Sequence, residues 1–385
     1  MSKIVRITTV PMSLRYLLKG QMFYMSQNGF EVTMISSDGK ELRDVIENEE
    51  CTHQIIPLTR KITPFSDLVA VFRLYLILVK VKPRIVHTHT PKAGIVGMIA
   101  SFLARVPIRL HTVAGLPLLE SVGVKRIVLN HVEKVTYMCS TKVYPNSYGL
   151  KRIIVQNGFT TKDKLKVIGV GSSNGIDTSH FNPGIFSHRE NHELRQELGI
   201  EKKDFIFIFI GRLVGDKGIN ELTQAFNELC FELKDIKLLL VGPFEDDLDP
   251  LKNKTKLLIS NHDKIISVGY QDDVRPYLAI SHSLVFPSYR EGFPNVVLQA
   301  GAMGLPSIVT DINGCNEIIK AEYNGIIIPS KDIESLKRAM SRIVQDRDVY
   351  LECSENARKE IVNNYEQNVF WNALLKEYES LVNAL

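Results

Sequence analysis

Apolar residues along the chain follow two alternating periods. KIVRITTV, residues 3–10, reads as a strand; Leu14, Leu17, Leu18, Met22 and Met25 then recur at helical spacing, with Gln21 on the same register, until Gly29 closes the helix before a second strand, FEVTMISS. Further strands are predicted at PRIVHTH, RLHTV, KVYPNS and KLKVIG, with helices over 68–81 and after Lys92. A polar stretch, GVGSSNGIDTSHFNP, ends this series, and a second begins at DFIFIFIGR, apolar throughout like a strand buried on both faces. KLLLVG, KIISVGY, SLVFPS, PSIVTD and GIIIPS follow, separated by helix-compatible sequence. The pattern predicts an α/β protein of two doubly wound, Rossmann-like parallel-sheet domains. The expected boundaries are 1–167 for the first domain, 168–183 for a linker and 184–370 for the second domain, with a C-terminal helix over 371–385 that can return to the first. Two such domains predict a cleft between them, with ligands beyond the carboxyl ends of the strands.

Composition narrows the class. Five scattered cysteines without a C-x-x-C pair read as reduced thiols and argue against a thiolate zinc site. The opening MSKIVRITTVP lacks the charged-then-apolar order of a signal peptide. The most apolar window, 68–81, contains Arg73 and Lys80 and falls short of the roughly 20 residues that span a bilayer, so a buried helix is expected there. Charge is uneven: residues 1–166 carry 24 Lys and Arg against 11 Asp and Glu, whereas 167–385 carry 23 against 32. The basic half predicts an anionic partner, such as a phospholipid surface, a lipid-linked diphosphate or nucleic acid; solvated lysines without a partner are the plain alternative. No helix-turn-helix, RRM or aromatic-basic platform supports nucleic acid.

Candidate chemistry sits just after two strands of the second series. GRLVGDKG, residues 211–218, places Gly211 and Arg212 at a strand end and Lys217 and Gly218 at a helix start, a combination suited to phosphate. The same pattern also describes an ordinary turn with solvated charges. In SYREGFPNVVLQAGAMGLP, residues 288–306, Pro294 suits a first helical turn, which puts Glu291 and Gly292 beside free N–H groups. Gln299 is four positions after Asn295 and shares its face; a core amide is the alternative reading for Gln299, and simple attraction to the helix dipole for Glu291. His87 and His89 sit two apart on a strand but lack a third metal ligand at matching spacing. Asp247 and Asp249 form a D-x-D in a loop where turn residues are normal. The helix over 122–137, with Lys125, Arg126 and Lys134, either lies against a membrane or caps the core.

GRLVGDKG and SYREGFPNVVLQAGAMGLP together resemble the nucleotide-sugar site of the retaining GT-B glycosyltransferases of family four. KPRIVHTHTPKAG, GSSNGIDTSHFNP and DINGCNEII add to a likeness that spans almost the whole chain. It is strongest toward bacterial enzymes of capsule, O-antigen and oligosaccharide assembly, which use UDP-sugars and undecaprenyl-diphosphate-linked acceptors. The resemblance implies that Arg212 and Lys217 hold the donor diphosphate, that Glu291 binds the sugar hydroxyls, and that Gly211, Gly292, Phe293, Pro294, Asn295, Val297 and Gln299 line the donor. Gln299 stands where the family carries a second Glu on the ribose. In the first domain the family's Gly-Gly pair is replaced by Pro11-Met12-Ser13-Leu14, and its His-Gly by Ala114-Gly115. His111 therefore remains as a weaker catalytic candidate, with Pro11, Ser13, His89 and Lys92 toward the acceptor. No metal or other cofactor is implied, and the expected setting is the cytoplasmic face of the inner membrane, with peripheral attachment. Competing expectations are a sugar-nucleotide epimerase of similar architecture and a catalytically weak UDP-sugar-binding protein.

Overall fold

The structure, a computed structural model, describes residues 1–59, 61–245 and 249–385. The chain divides into two compact units, Met1–Gly175 together with Gln367–Leu385, and Ile176–Glu366. The first unit contains strands β1 (Ser2–Ile7), β2 (Phe30–Ser36), β3 (Thr52–Ile55), β4 (Ile85–His89), β5 (Ile108–Val113) and β6 (Lys142–Pro145). They form one parallel sheet in the order β3-β2-β1-β4-β5-β6, with Ile4 of β1 opposite Val32 on one side and Ile85 on the other. The second unit contains β7 (Phe205–Ile210), β8 (Ile236–Val241), β9 (Ile265–Ser267), β10 (Ser283–Phe286), β11 (Ser307–Thr310) and β12 (Gly325–Ile328). Their order is β12-β11-β10-β7-β8-β9, again parallel. Each sheet winds outward in both directions from its first strand, so a crevice opens between β1 and β4 in one unit and between β7 and β10 in the other.

The strand core is as apolar as two-sided burial demands. Ile206, Phe207, Ile208 and Phe209 of β7 are fully buried, as are Leu238, Leu239 and Leu240 of β8. Three sequence expectations need correction. Thr52–Ile55 is a strand that the pattern did not show, because it pairs with β2 alone and its outer edge requires no apolar run. KLKVIG is not a strand: Leu165 makes a single bridge to Val143 and the chain turns away. The helix expected over 68–81 runs from Pro64 to Val81 and is not buried. Only Ala70, Leu74 and Leu78 are covered, one stripe four residues apart facing the sheet, while Phe65 is 87%, Leu68 67% and Phe72 60% exposed.

The C-terminal helix spans Gln367–Asn383, starting four residues before the expected 371. It packs Phe370, Leu374 and Tyr378 into the core of the first unit. The stretch read as a linker is divided between the cores, with Ile168 in the first and Ile176 in the second.

Candidate functional site

The crevice at β7 and β10 positions the two glycine-bearing segments. After β7, Gly211–Val214 leads into a single 3₁₀ turn, Gly215–Lys217, and Gly218 at φ +73° starts the helix Ile219–Leu229. After β10 the chain runs through Ser288–Phe293 to the helix Asn295–Ala302, for which Pro294 is the N-cap, one position earlier than the first-turn role expected. The two segments are in direct contact. A Cβ on Gly218 would lie 2.2 Å from the Pro287 carbonyl oxygen, so only glycine permits this approach. Tyr289 N donates to Asp216 O at 2.9 Å, and Arg290 donates to Asp216 Oδ2 at 2.8 Å. Lys217 Nζ donates to Glu291 Oε1, forming an ion pair in which the side chains are only 17% and 16% exposed.

Glu291 is held from several sides. Ser288 Oγ donates to the same Oε1 at 2.9 Å, and Asn313 Nδ2 donates to the Glu291 carbonyl oxygen. The Gly292 turn is backed by Gly314, at φ +79°, where a Cβ would lie 2.5 Å from Gly292 O. Thus DINGCNEII forms the rear wall of the Glu291 turn, through the Asn313 amide and the close approach of Gly314. Beneath it, burial and then the Glu291 charge push the Cys315 thiol well above its ordinary range, so the thiol stays protonated.

Along the helix Asn295–Ala302, Asn295 and Gln299 are half-buried on one face, one turn apart. Neither side chain has a hydrogen-bond partner among the described residues, so Gln299 is not a satisfied core amide. Val297 must be corrected as a ribose contact: it is fully buried, because two residues along a helix rotate it by about 200° toward the core. The Phe293 side chain also faces the core, 5.7 Å from the Tyr365 ring, leaving its backbone for the entrance. Arg212 donates to Glu245 at 2.8 Å in a half-exposed pair. Such pairs contribute about 0–1 kcal/mol, little enough for a ligand anion to displace the carboxylate.

Sequence reasoning missed several supports of this site. Asp216, Ser288, Asn313 and Asp249 were not singled out for it, although Gly215 carried a signal. A Cβ at Gly215 would meet the Asp249 carboxylate at 2.8 Å, and Asp249 Oδ2 accepts from Asp216 N at 2.5 Å. The second acid of the D-x-D therefore caps the turn bearing Lys217 and is committed to backbone; Asp247 lies outside the described residues. Among the described residues no group of three or more His, Cys, Asp or Glu is placed to hold a metal ion.

The first unit distributes its candidates differently. Pro11 opens the helix Pro11–Leu17 just beyond β1, and both Pro11 and Ser13 are buried. Lys92 is paired with Asp67 at 2.5 Å and is nearly covered, which removes it as a free phosphate ligand. His89 is buried with Nε2 2.8 Å from Arg6, whose guanidinium also reaches Tyr378 and Gln21. His87 contacts Tyr378 and Thr112, so both of its ring nitrogens, like Nε2 of His89, are directed at internal partners, and among the described residues no metal-binding group includes the pair. Burial first, and then neighbouring positive charge, drives both imidazoles well below their ordinary pKa. His111 is 3% exposed, hydrogen-bonded to Thr88 at 2.8 Å, and lies under Gly94, where a Cβ would stand 2.5 Å from its ring. Burial lowers its pKa to about 4, so the imidazole is neutral, and it is this covered position between Thr88 and Gly94 that keeps His111 from reaching a substrate.

Each unit matches a family model: residues 11–147 match "Glycosyl transferase 4-like" and residues 190–360 match "Glycosyl transferases group 1". The chain is 31% identical over 381 residues to the capsular polysaccharide biosynthesis glycosyltransferase CapM of Staphylococcus aureus, covering 99% of this chain and 97% of that one. It is 30% identical over 341 residues to the UDP-Gal:alpha-D-GlcNAc-diphosphoundecaprenol alpha-1,3-galactosyltransferase of Escherichia coli, covering 87% and 85%. Its fold is similar to that of Anabaena HepE solved in complex with UDP, with a TM-score of 0.81, 16% identity, and coverage of 99% and 100%. With two doubly wound units of matching strand order, a family model on each, and a relative aligned over nearly its whole length, the chain belongs to the family 4-like, group 1 glycosyltransferases of the GT-B fold.

Proposed function

We propose that this glycosyltransferase moves a sugar from a UDP-sugar to a lipid-linked, undecaprenyl-diphosphate-type saccharide with retention of configuration, in bacterial surface polysaccharide assembly. The observation that carries the reading is the meeting of Lys217 with Glu291 at the entrance to the helix Asn295–Ala302. A lysine, the positive end of a helix and a fixed carboxylate together suit a diphosphate joined to a hydroxyl-rich sugar. Lys217 and the helix-entry amides stabilise charge that grows on the departing diphosphate as the anomeric carbon gains oxocarbenium character. Glu291, paired with Lys217 and Ser288 before substrate arrives, accepts hydrogen bonds from the sugar and orients it. Arg212 exchanges Glu245 for phosphate oxygens, and Gln299 meets the ribose with an amide that both donates and accepts. Retention places acceptor attack on the leaving-group side, where a phosphate oxygen takes the proton. No metal is required, because cations and amides already serve the leaving group.

The name of the Escherichia coli relative joins a UDP-Gal donor, a diphosphoundecaprenol-linked acceptor and an alpha-linked product, which supports the same substrate classes here. Among the described residues no helix is long and apolar enough to cross a membrane. A lipid-linked acceptor then requires peripheral attachment, for which the cytoplasmic face of the inner membrane is proposed. The test is a panel of UDP-sugars with short lipid-diphosphate saccharides, followed by mass and linkage analysis, with and without EDTA. An α-linked product formed from an α-configured UDP-sugar, insensitive to EDTA, is expected. A β-linked product would end the retaining assignment. Turnover only with other nucleotide sugars would end the donor assignment, and an epimerised sugar nucleotide released without acceptor would replace the reaction.

A further inference from the structure

The exposed apolar face of the first unit is the largest departure of the structure from the sequence expectation. The helix Pro64–Val81 buries Ala70, Leu74 and Leu78 against the sheet. At about 100° per residue, Phe65, Leu68, Phe72, Leu76 and Val79 form a second apolar stripe on the opposite side. These five residues are 87%, 67%, 60%, 51% and 44% exposed. The helix Gly123–Cys139 repeats the arrangement: Glu133 and Tyr137 are buried, and Val124, Ile127, Val128 and Met138 project from the other side. The helix Pro91–Leu103 packs between the two, so the stripes belong to one helical layer and both face away from the sheet. Contiguous apolar surface of this kind marks an interaction site.

Charge selects the partner. Arg73 and Lys80 flank the first stripe, and Lys125 and Lys134 are exposed on the helix Gly123–Cys139. The acids of the three helices do not offset them, since Asp67 is paired with Lys92 and Glu133 is buried. An apolar stripe on a helix whose exposed acid or base side chains are all basic suits an interface of hydrocarbon and anionic headgroups. We infer that the Pro64–Val81 and Gly123–Cys139 helices together form the face on which the enzyme docks to an anionic lipid bilayer. The inference rests on the lipid-linked acceptor proposed above and names the surface that meets its membrane.

The test uses the full chain and sedimentation with vesicles of phosphatidylcholine alone or mixed with phosphatidylglycerol, at increasing salt. Three variants are compared after melting curves confirm folding: Leu68→Ser with Phe72→Ser and Leu76→Ser; Val124→Ser with Ile127→Ser; and Arg73→Glu with Lys80→Glu, Lys125→Glu and Lys134→Glu. The wild type is expected to partition about tenfold more strongly onto the anionic vesicles, and each variant to lose about tenfold of that binding. Transfer to a water-soluble short acceptor should be unchanged in the variants, while transfer to a long-chain acceptor in vesicles falls about tenfold, following the loss of partition. Equal wild-type binding to both vesicle types, or full binding by the serine variants, would overturn the inference. So would a concentration-dependent dimer that the serine variants abolish, since the face would then belong to a second copy of the chain. Failure of the wild type with the soluble acceptor would count against the transferase substrates alone, because vesicle partition judges the face separately.

Discussion

Replacing Gly218 by alanine tests whether the two segments that bring Lys217 to Glu291 are locked together. The new Cβ would lie 2.2 Å from the Pro287 carbonyl oxygen and 2.9 Å from its carbon, at a φ of +73°. Gly199 supplies the control, with φ +64° and nothing within 4 Å of its would-be Cβ. The left-handed conformation alone costs a non-glycine residue about 1–2 kcal/mol, offset by roughly 0.4–1 kcal/mol from the stiffer unfolded chain. Gly199→Ala should therefore destabilise by about 1 kcal/mol. Gly218→Ala adds an overpacking cost of about 1–3 kcal/mol, because the atom it strikes is backbone and cannot rotate aside. In a unit of this size 1 kcal/mol shifts the midpoint by about 2–4 °C, so Gly199→Ala should lower Tm by about 2–4 °C and Gly218→Ala by about 4–16 °C. A displacement near 1 Å between Lys217 and Glu291 should cut kcat/KM by about 10²-fold, whereas Gly199→Ala leaves it intact. Calorimetry and steady-state transfer to a soluble acceptor read both quantities. Equal Tm losses with normal activity in Gly218→Ala would refute a rigid junction between the two segments.

Lys217→Ala should lower kcat by about 10²–10³-fold if the lysine stabilises the leaving diphosphate, and a folded variant with normal turnover would exclude it from that role. Gln299→Ala should raise the donor KM by about 2–12-fold, the equivalent of one neutral hydrogen bond, with kcat nearly constant; an unchanged KM would separate this amide from the ribose. Asp249→Ala should lower kcat by about tenfold by releasing the turn that carries Lys217, and Asn at that position, which still offers an acceptor oxygen, should restore most of it. If Ala and Asn behave alike, the cap is not what positions the lysine. His111 titrates at about 4 when folded and near 6.5 when unfolded, so the unfolded chain binds more protons between those values. Stability of the first unit is expected to fall as pH drops through that window, by up to about 1.4 kcal/mol per pH unit from this group. Urea unfolding from pH 7 to 4.5 should show a shallower decline in His111→Gln, with His53, His87 and His89, also lowered by burial, leaving part of the slope. An unaltered slope would contradict a buried neutral His111.

Apolar runs determined the two doubly wound sheets without help from tertiary context, because a parallel strand covered on both faces must be apolar throughout, as Phe205–Ile210 is. GRLVGDKG and SYREGFP likewise marked the two turns that meet at Lys217 and Glu291, since glycine and proline demands are local. The sequence did not show Thr52–Ile55, whose edge position asks for no pattern, or that Val297 turns inward while Gln299 turns out. Nor did it show which histidines are occupied: His87 and Arg6 both meet Tyr378, which lies 291 and 372 residues away along the chain. Burial of the Pro64–Val81 helix was misjudged for the same reason. Composition states that Phe65, Leu68 and Phe72 are apolar, but whether anything covers them depends on what packs alongside, and only the folded arrangement of distant segments decides that.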